Sequence, residues 1–102
     1  MEDNAQLLEQ LLEPLLDDFT YWFDRSEALL ANPDLDVISP EERQDLLQRL
    51  STAQKEVQTA KLLFNLSGKT VGVDVQVMAP WHALLMECQA IGMRYRQKQQ
   101  LN

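Results

Sequence analysis

Residues 39–68 read SPEERQDLLQRLSTAQKEVQTAKLLFNLSG, and this stretch decides the fold. Leu46, Leu50, Ala53, Val57, Ala60 and Phe64 recur at alternating steps of four and three. That interval returns side chains to one side of an α-helix. The ends carry matching punctuation. Ser39 offers an N-cap hydroxyl, and Pro40 takes the first helical position, where a missing N–H costs little. Glu42 stands at N3, where it completes the pattern of a capping box. Gly68 suits the left-handed residue that follows a helix. A helix near residues 40–67 is therefore predicted.

The same period appears on both sides of it. Upstream, Leu8, Leu12, Leu15, Phe19, Trp22, Ser26 and Leu29 form one stripe, widened by Leu11, Leu16, Phe23 and Leu30. Downstream, Val77, Trp81, Leu84, Cys88, Ile91 and Tyr95 form another. Helices near 5–31 and 74–98 follow. Asn32-Pro33 ends the first, because proline disfavours α geometry in the residue before it. Pro14 and Pro80 each predict a kink or a late helix start. Residues 71–77 (Val-Gly-Val-Asp-Val-Gln-Val) alternate as a strand would, yet a lone strand has no partner. Asp74 can instead cap the third helix.

Three long helices joined by short connections predict an all-α fold, an antiparallel three-helix bundle, either monomeric or dimeric. Laid side by side, Phe19 and Trp22 fall near Ala53, and Trp81 near Ala60, so large residues meet small ones. With Trp22 in that core, Trp22→Ala is expected to cost about 3–5 kcal/mol. The same topology brings Arg94, Arg96 and Lys98 towards Asp34, Asp36, Glu41 and Glu42.

Composition bounds the function. The 102 residues suit one helical domain, 1–102, and 45% apolar with 25% charged residues is an ordinary globular mixture. Three glycines and four prolines are too few for a fold of many tight turns. Residues 1–42 hold twelve acids and only Arg25 as a base, whereas residues 43–102 hold four acids and eight bases. The formal net charge of −7 argues against nucleic acid or anionic lipid as the main partner. One cysteine allows no internal disulfide, and one histidine beside it makes no typical zinc site. The acidic start is no secretory signal, and no apolar run approaches the roughly 20 residues of a membrane span. A cytoplasmic protein is expected.

Candidate chemistry thins out on inspection. Ser67-Gly68-Lys69-Thr70 resembles the end of a phosphate loop, but Leu63 occupies the place of its first glycine and a helix precedes it. Neither ATP nor GTP should bind. His82 and Cys88 are six residues apart and point about 120° away from each other on a helix, which is no nucleophile–base pair. Asp17, Asp18, Asp24 and Glu27 fall on a solvated helix face rather than in a pocket. Trp22 and Phe23 fall within the apolar arc, and Tyr21 points outward. No catalytic, cofactor-binding or metal-ligating residue is assigned, and no small-molecule ligand is expected.

The third helix is the exception. Opposite its core stripe stand Val75, Ala79, His82, Met86, Ala90 and Met93, and Glu87 is the only charge between Asp74 and Arg94. A helix apolar on every side is normally buried on every side, which a three-helix bundle does not provide. Val75, His82, Met86 and Met93 are therefore the candidate partner interface, with methionine suited to an adaptable contact. The competing reading is a register shift after Pro80, or scattered exposed apolar residues without a role.

Leu12-Glu13-Pro14-Leu15-Leu16-Asp17-Asp18-Phe19, Tyr21-Trp22-Phe23, Ser39-Pro40-Glu41-Glu42 and Pro80-Trp81-His82 together resemble a small cyanobacterial family known only as a domain of unknown function. The resemblance spans about residues 7–96. It implies a cytosolic protein, offers no catalytic residues to carry over, and directs attention to the third helix through Pro80-Trp81-His82. Two functions follow as expectations. The first is a non-enzymatic interaction module, an adaptor or assembly factor with a protein partner or a second copy. The other is a small acidic regulator that covers a basic surface on an enzyme.

Overall fold

The computed structural model describes residues 2–68 and 75–101, with side chains described for 10–68 and 76–101. Three helices run through them: α1 (Glu2–Ala31), α2 (Pro40–Leu66) and α3 (Val75–Leu101). Each predicted boundary lies within three residues of its observed position. The alternating stretch is already helical from Val75, and its residues 71–74 lie outside the described residues.

Local chemistry places the ends. Ser39 is extended, and its Oγ accepts from the N–H of Glu42 at 3.1 Å. The Glu42 carboxylate accepts from the Ser39 hydroxyl at 3.4 Å, not from the backbone N–H that a full capping box would use. At the far end Ser67 N–H donates to Leu63 O, and Gly68 N–H to Asn65 O, with Gly68 at φ +69°. That backbone geometry costs an L side chain energy and glycine almost none. The end of α1 has no basic residue of its own. Arg43, one turn into α2, fills the role: Nη1 donates to Leu30 O at 2.8 Å and Asn32 O at 2.9 Å, and Nη2 to Leu35 O. A cation there meets the orphan carbonyls and the negative end of the α1 dipole.

The helices pack up, down, up. α1 and α2 are antiparallel, tied by Lys61–Asp17 at 2.8 Å and by Gln54 donating to Asp24 and Glu27. Arg49–Glu87 at 2.5 Å and Trp81 Nε1 donating to Glu56 at 3.2 Å join α2 to α3 in the opposite sense. α1 and α3 are parallel and hold one register along their length. Phe19 stacks edge-on against Trp81 at 5.4 Å, Ser26 lies against Cys88, Leu29 approaches Gly92, and Asn32 donates to Tyr95. These pairs are all 62 or 63 positions apart in the chain.

The α2 and α3 core stripes are largely as predicted. Leu46, Leu50, Ala53, Val57 and Phe64 of α2 are buried, as are Trp81, Leu84, Cys88 and Ile91 of α3. Three expectations are corrected. In α1 the buried line is Leu12, Leu16, Phe19, Phe23, Ser26 and Leu30, while Leu15 is 39% and Trp22 43% exposed. Trp22 is thus not a core residue. Both lines have helical spacing on a broad apolar arc, and α2, lying on the flank of Asp17, Asp24 and Glu27, draws in the side nearer to itself. Val77 is 44% exposed, because of residues 76–80 only Met78 is half-buried against the core and full burial in α3 begins at Trp81. Trp81 meets α2 at Glu56, about one turn from the Ala60 expected.

Pro14 and Pro80 both lie inside continuous helices, so neither marks a late start. Among the described residues, no helix is long and apolar enough to cross a membrane.

Candidate interaction face

The α1–α3 register fixes which side chains share a surface. On a helix turning about 100° per residue, Leu11, Leu15, Asp18 and Trp22 lie within about 40° of Trp22, with Tyr21 and Arg25 flanking them. On α3, Ala79, His82, Met86, Ala90 and Met93 form a second cluster about 100° or more from Trp81. α2 touches α1 through Asp17, Asp24 and Glu27, and touches α3 through Glu87 and Trp81. Both clusters therefore flank the α1–α3 seam on the side away from α2.

That side is open and apolar. Met86 and Met93 are a little over half exposed, and His82, Ala79 and Ala90 are exposed beside them. The side chain of Val75, the remaining interface candidate, lies outside the described residues. Across the seam Tyr21 and Trp22 pack edge-on at 5.0 Å. Arg25 Nη1 donates to the Tyr21 hydroxyl at 3.1 Å, and the guanidinium lies 5.7 Å from the ring centroid. Tryptophan, tyrosine and arginine are the residue types enriched among the hot spots of known interfaces. Sequence reasoning found the methionine half of this face but missed Trp22, which it assigned to the core. The signal was present in Tyr21 and Arg25, which share the polar flank of the same two turns.

The remaining candidates are less productive. Cys88 is buried, and burial pushes its thiol above the ordinary value while the Ser26 hydroxyl beside it pulls slightly the other way. A protonated, covered thiol is a poor nucleophile. His82 faces solvent, away from it. Lys69 and Thr70 of the phosphate-loop resemblance lie outside the described residues, and Ser67-Gly68 serves as the helix cap. Among the described residues, no three His, Cys, Asp or Glu side chains gather to hold a metal ion. A cleft of about 380 Å³ between α2 and α3 is lined by Arg49, Ala53, Glu56, Pro80, Trp81 and Leu84, among others. The charged groups there are engaged: Glu56 receives the Trp81 N–H, and Arg49 is paired with Glu87.

The expected meeting of basic and acidic groups is partial. Lys98 pairs with Asp36 at 2.5 Å, which holds that carboxyl below the usual range, and Arg94 donates to Val37 O at 2.8 Å. Arg96 lies elsewhere, with Nη1 near Gly92 on the α1 side.

A three-helix bundle with an open apolar seam defines the class. Residues 2–97 match the family model of a protein of unknown function, DUF2605, and the chain belongs to that family. No curated protein and no solved structure matches it.

Proposed function

We propose that this chain is a non-enzymatic protein–protein interaction module, an adaptor or assembly factor of the cytoplasm, that makes its contacts through the α1–α3 face. One observation carries the reading: Leu11, Leu15, Trp22, Met86 and Met93 stand exposed together along the α1–α3 seam. Covering such a stripe stabilises a complex by about 25 cal/mol per Å² of apolar area removed from water. An acidic regulator of a basic enzyme surface is less well supported. Asp17, Asp24 and Glu27 are occupied by α2, and Asp36 by Lys98.

Met86→Glu tests the proposal. Self-association or partner capture should be lost while helical content and melting temperature stay nearly unchanged. A variant that unfolds would put Met86 in the core. A folded variant that still self-associates and captures partners would place the contact surface elsewhere.

A further inference from the structure

The α1–α3 face is self-complementary under a twofold rotation. Tyr21 and Trp22 stand at its centre on α1, with Asp18 one turn before them and Arg25 one turn after. Reversing the direction of α1 about the point between Tyr21 and Trp22 exchanges Asp18 with Arg25 and Tyr21 with Trp22. On α3, reversal about Leu84 exchanges His82 with Met86 and Val75 with Met93. These two centres are themselves 62 to 63 positions apart, the offset at which Phe19 meets Trp81 and Asn32 meets Tyr95. The charge pattern of α1 and the apolar pattern of α3 thus share one axis, set by packing that involves neither pattern.

We infer that the occupant of this face is a second copy of the chain, docked face to face and antiparallel, with the twofold axis passing level with Trp22 and Leu84. The inference rests on the interaction-module reading and names its partner. Each Asp18 then meets the Arg25 of the other copy, twice by symmetry, which is the reciprocity an isologous contact requires. Arg25 is the only base in residues 1–42. Among the described residues Arg25 finds only the Tyr21 hydroxyl and ring, and Asp18 is exposed with no partner. Around these pairs, Tyr21 and Trp22 close the centre while the His82–Met86 pairs and Met93 extend the dry area along α3. A molecule of 55 × 23 × 18 Å offers this long face room for the roughly 800 Å² per copy that a stable interface buries. The register also opposes the alternative parallel docking, which sets Asp18 against Asp18 and Arg25 against Arg25 along α1 or leaves both facing the stripe of Ala79, His82, Met86, Ala90 and Met93 on α3, which holds no carboxylate, lysine or arginine.

Charge-swap complementation read by sedimentation equilibrium is the test. Wild type should sediment at about twice the 11.8 kDa of the chain. Asp18→Arg and Arg25→Asp should each weaken the dimer by about tenfold or more, because each sets two like-charge pairs at the interface. Mixing the two variants restores both opposite-charge pairs, so the mixture should form heterodimers within about threefold of the wild-type constant. An unfolded variant could not be rescued in this way, which separates misfolding from lost contact. A wild type that stays monomeric at about 100 μM, single variants that dimerise as wild type does, or a mixture that stays monomeric would each overturn the inference. The interaction-module reading fails separately, when Met86→Glu leaves every association intact. A monomeric wild type whose capture of another protein is lost in Met86→Glu would sink the dimer and retain the module.

Discussion

Trp81 and Trp22 divide the work of the two indoles. Trp81 is 2% exposed, with its ring against Phe19 and its N–H on Glu56, so it is both filler and hydrogen-bond donor. Trp81→Ala should cost about 3–5 kcal/mol in denaturant unfolding. Trp22→Ala in dilute solution should cost roughly 1 kcal/mol, since much of that ring already meets water. Equal losses at the two positions would mean that Trp22 is in the core after all. Arg43 carries a different burden, since three backbone carbonyls, Leu30 O at the end of α1 and Asn32 O and Leu35 O in the connection after it, accept from its guanidinium. Arg43→Ala is expected to lower stability by about 1.5–3 kcal/mol, the range for hydrogen bonds to a charged group. A melting curve unchanged by that substitution would contradict the clamp. Cys88 provides a simple check on burial: its thiol should react with an aromatic disulfide reagent only on the timescale of unfolding, and prompt labelling of the native protein would place it at the surface.

Of the three helices, α2 was the most legible, and the reason is local. Ser39, Pro40 and Glu42 state its start, Gly68 its stop, and one narrow apolar line its buried side. Gly68→Ala tests the stop directly. A Cβ there meets nothing within 4 Å, so the expected loss of about 1 kcal/mol comes from the positive φ alone. No loss would mean that the turn relaxes to negative φ. The centre of the α1 stripe was not legible, because Leu15, Leu16, Trp22 and Phe23 are all apolar and the period is the same for either line. Only the position of α2 decides between them. The proline rule also ran out, since Pro14 and Pro80 sit within helices whose neighbouring turns continue past them. Pro80 stands exposed just ahead of Trp81, where full burial in α3 begins.

The bundle as a whole is held by an apolar interior and by a few ion pairs at its rim, and those pairs give it a mild pH dependence. Lys98 keeps the folded Asp36 carboxyl below its usual 3.8. The contribution of that group is therefore fully present above the unfolded value and is lost as pH falls through the lower folded value. Asp36→Asn should differ from wild type near neutral pH, and the difference should close as the pH drops below about 4. A difference that persists at pH 2 would show that the pair is not what Asp36 provides. The helical bundle could be read from periodicity, and so could the methionine side of its outer face. The shared axis of Asp18–Arg25 and His82–Met86 could not, because it appears only once packing sets α1 and α3 level. Hydroxyl-radical footprinting across a dilution series tests that claim most directly. With concentrated protein, Tyr21, Trp22, Met86 and Met93 should become protected together, while Leu62 and Leu66 on the outer side of α2 oxidise at an unchanged rate. If Met86 and Met93 oxidise as fast in concentrated protein as in dilute, the α1–α3 face is bare and the account is wrong.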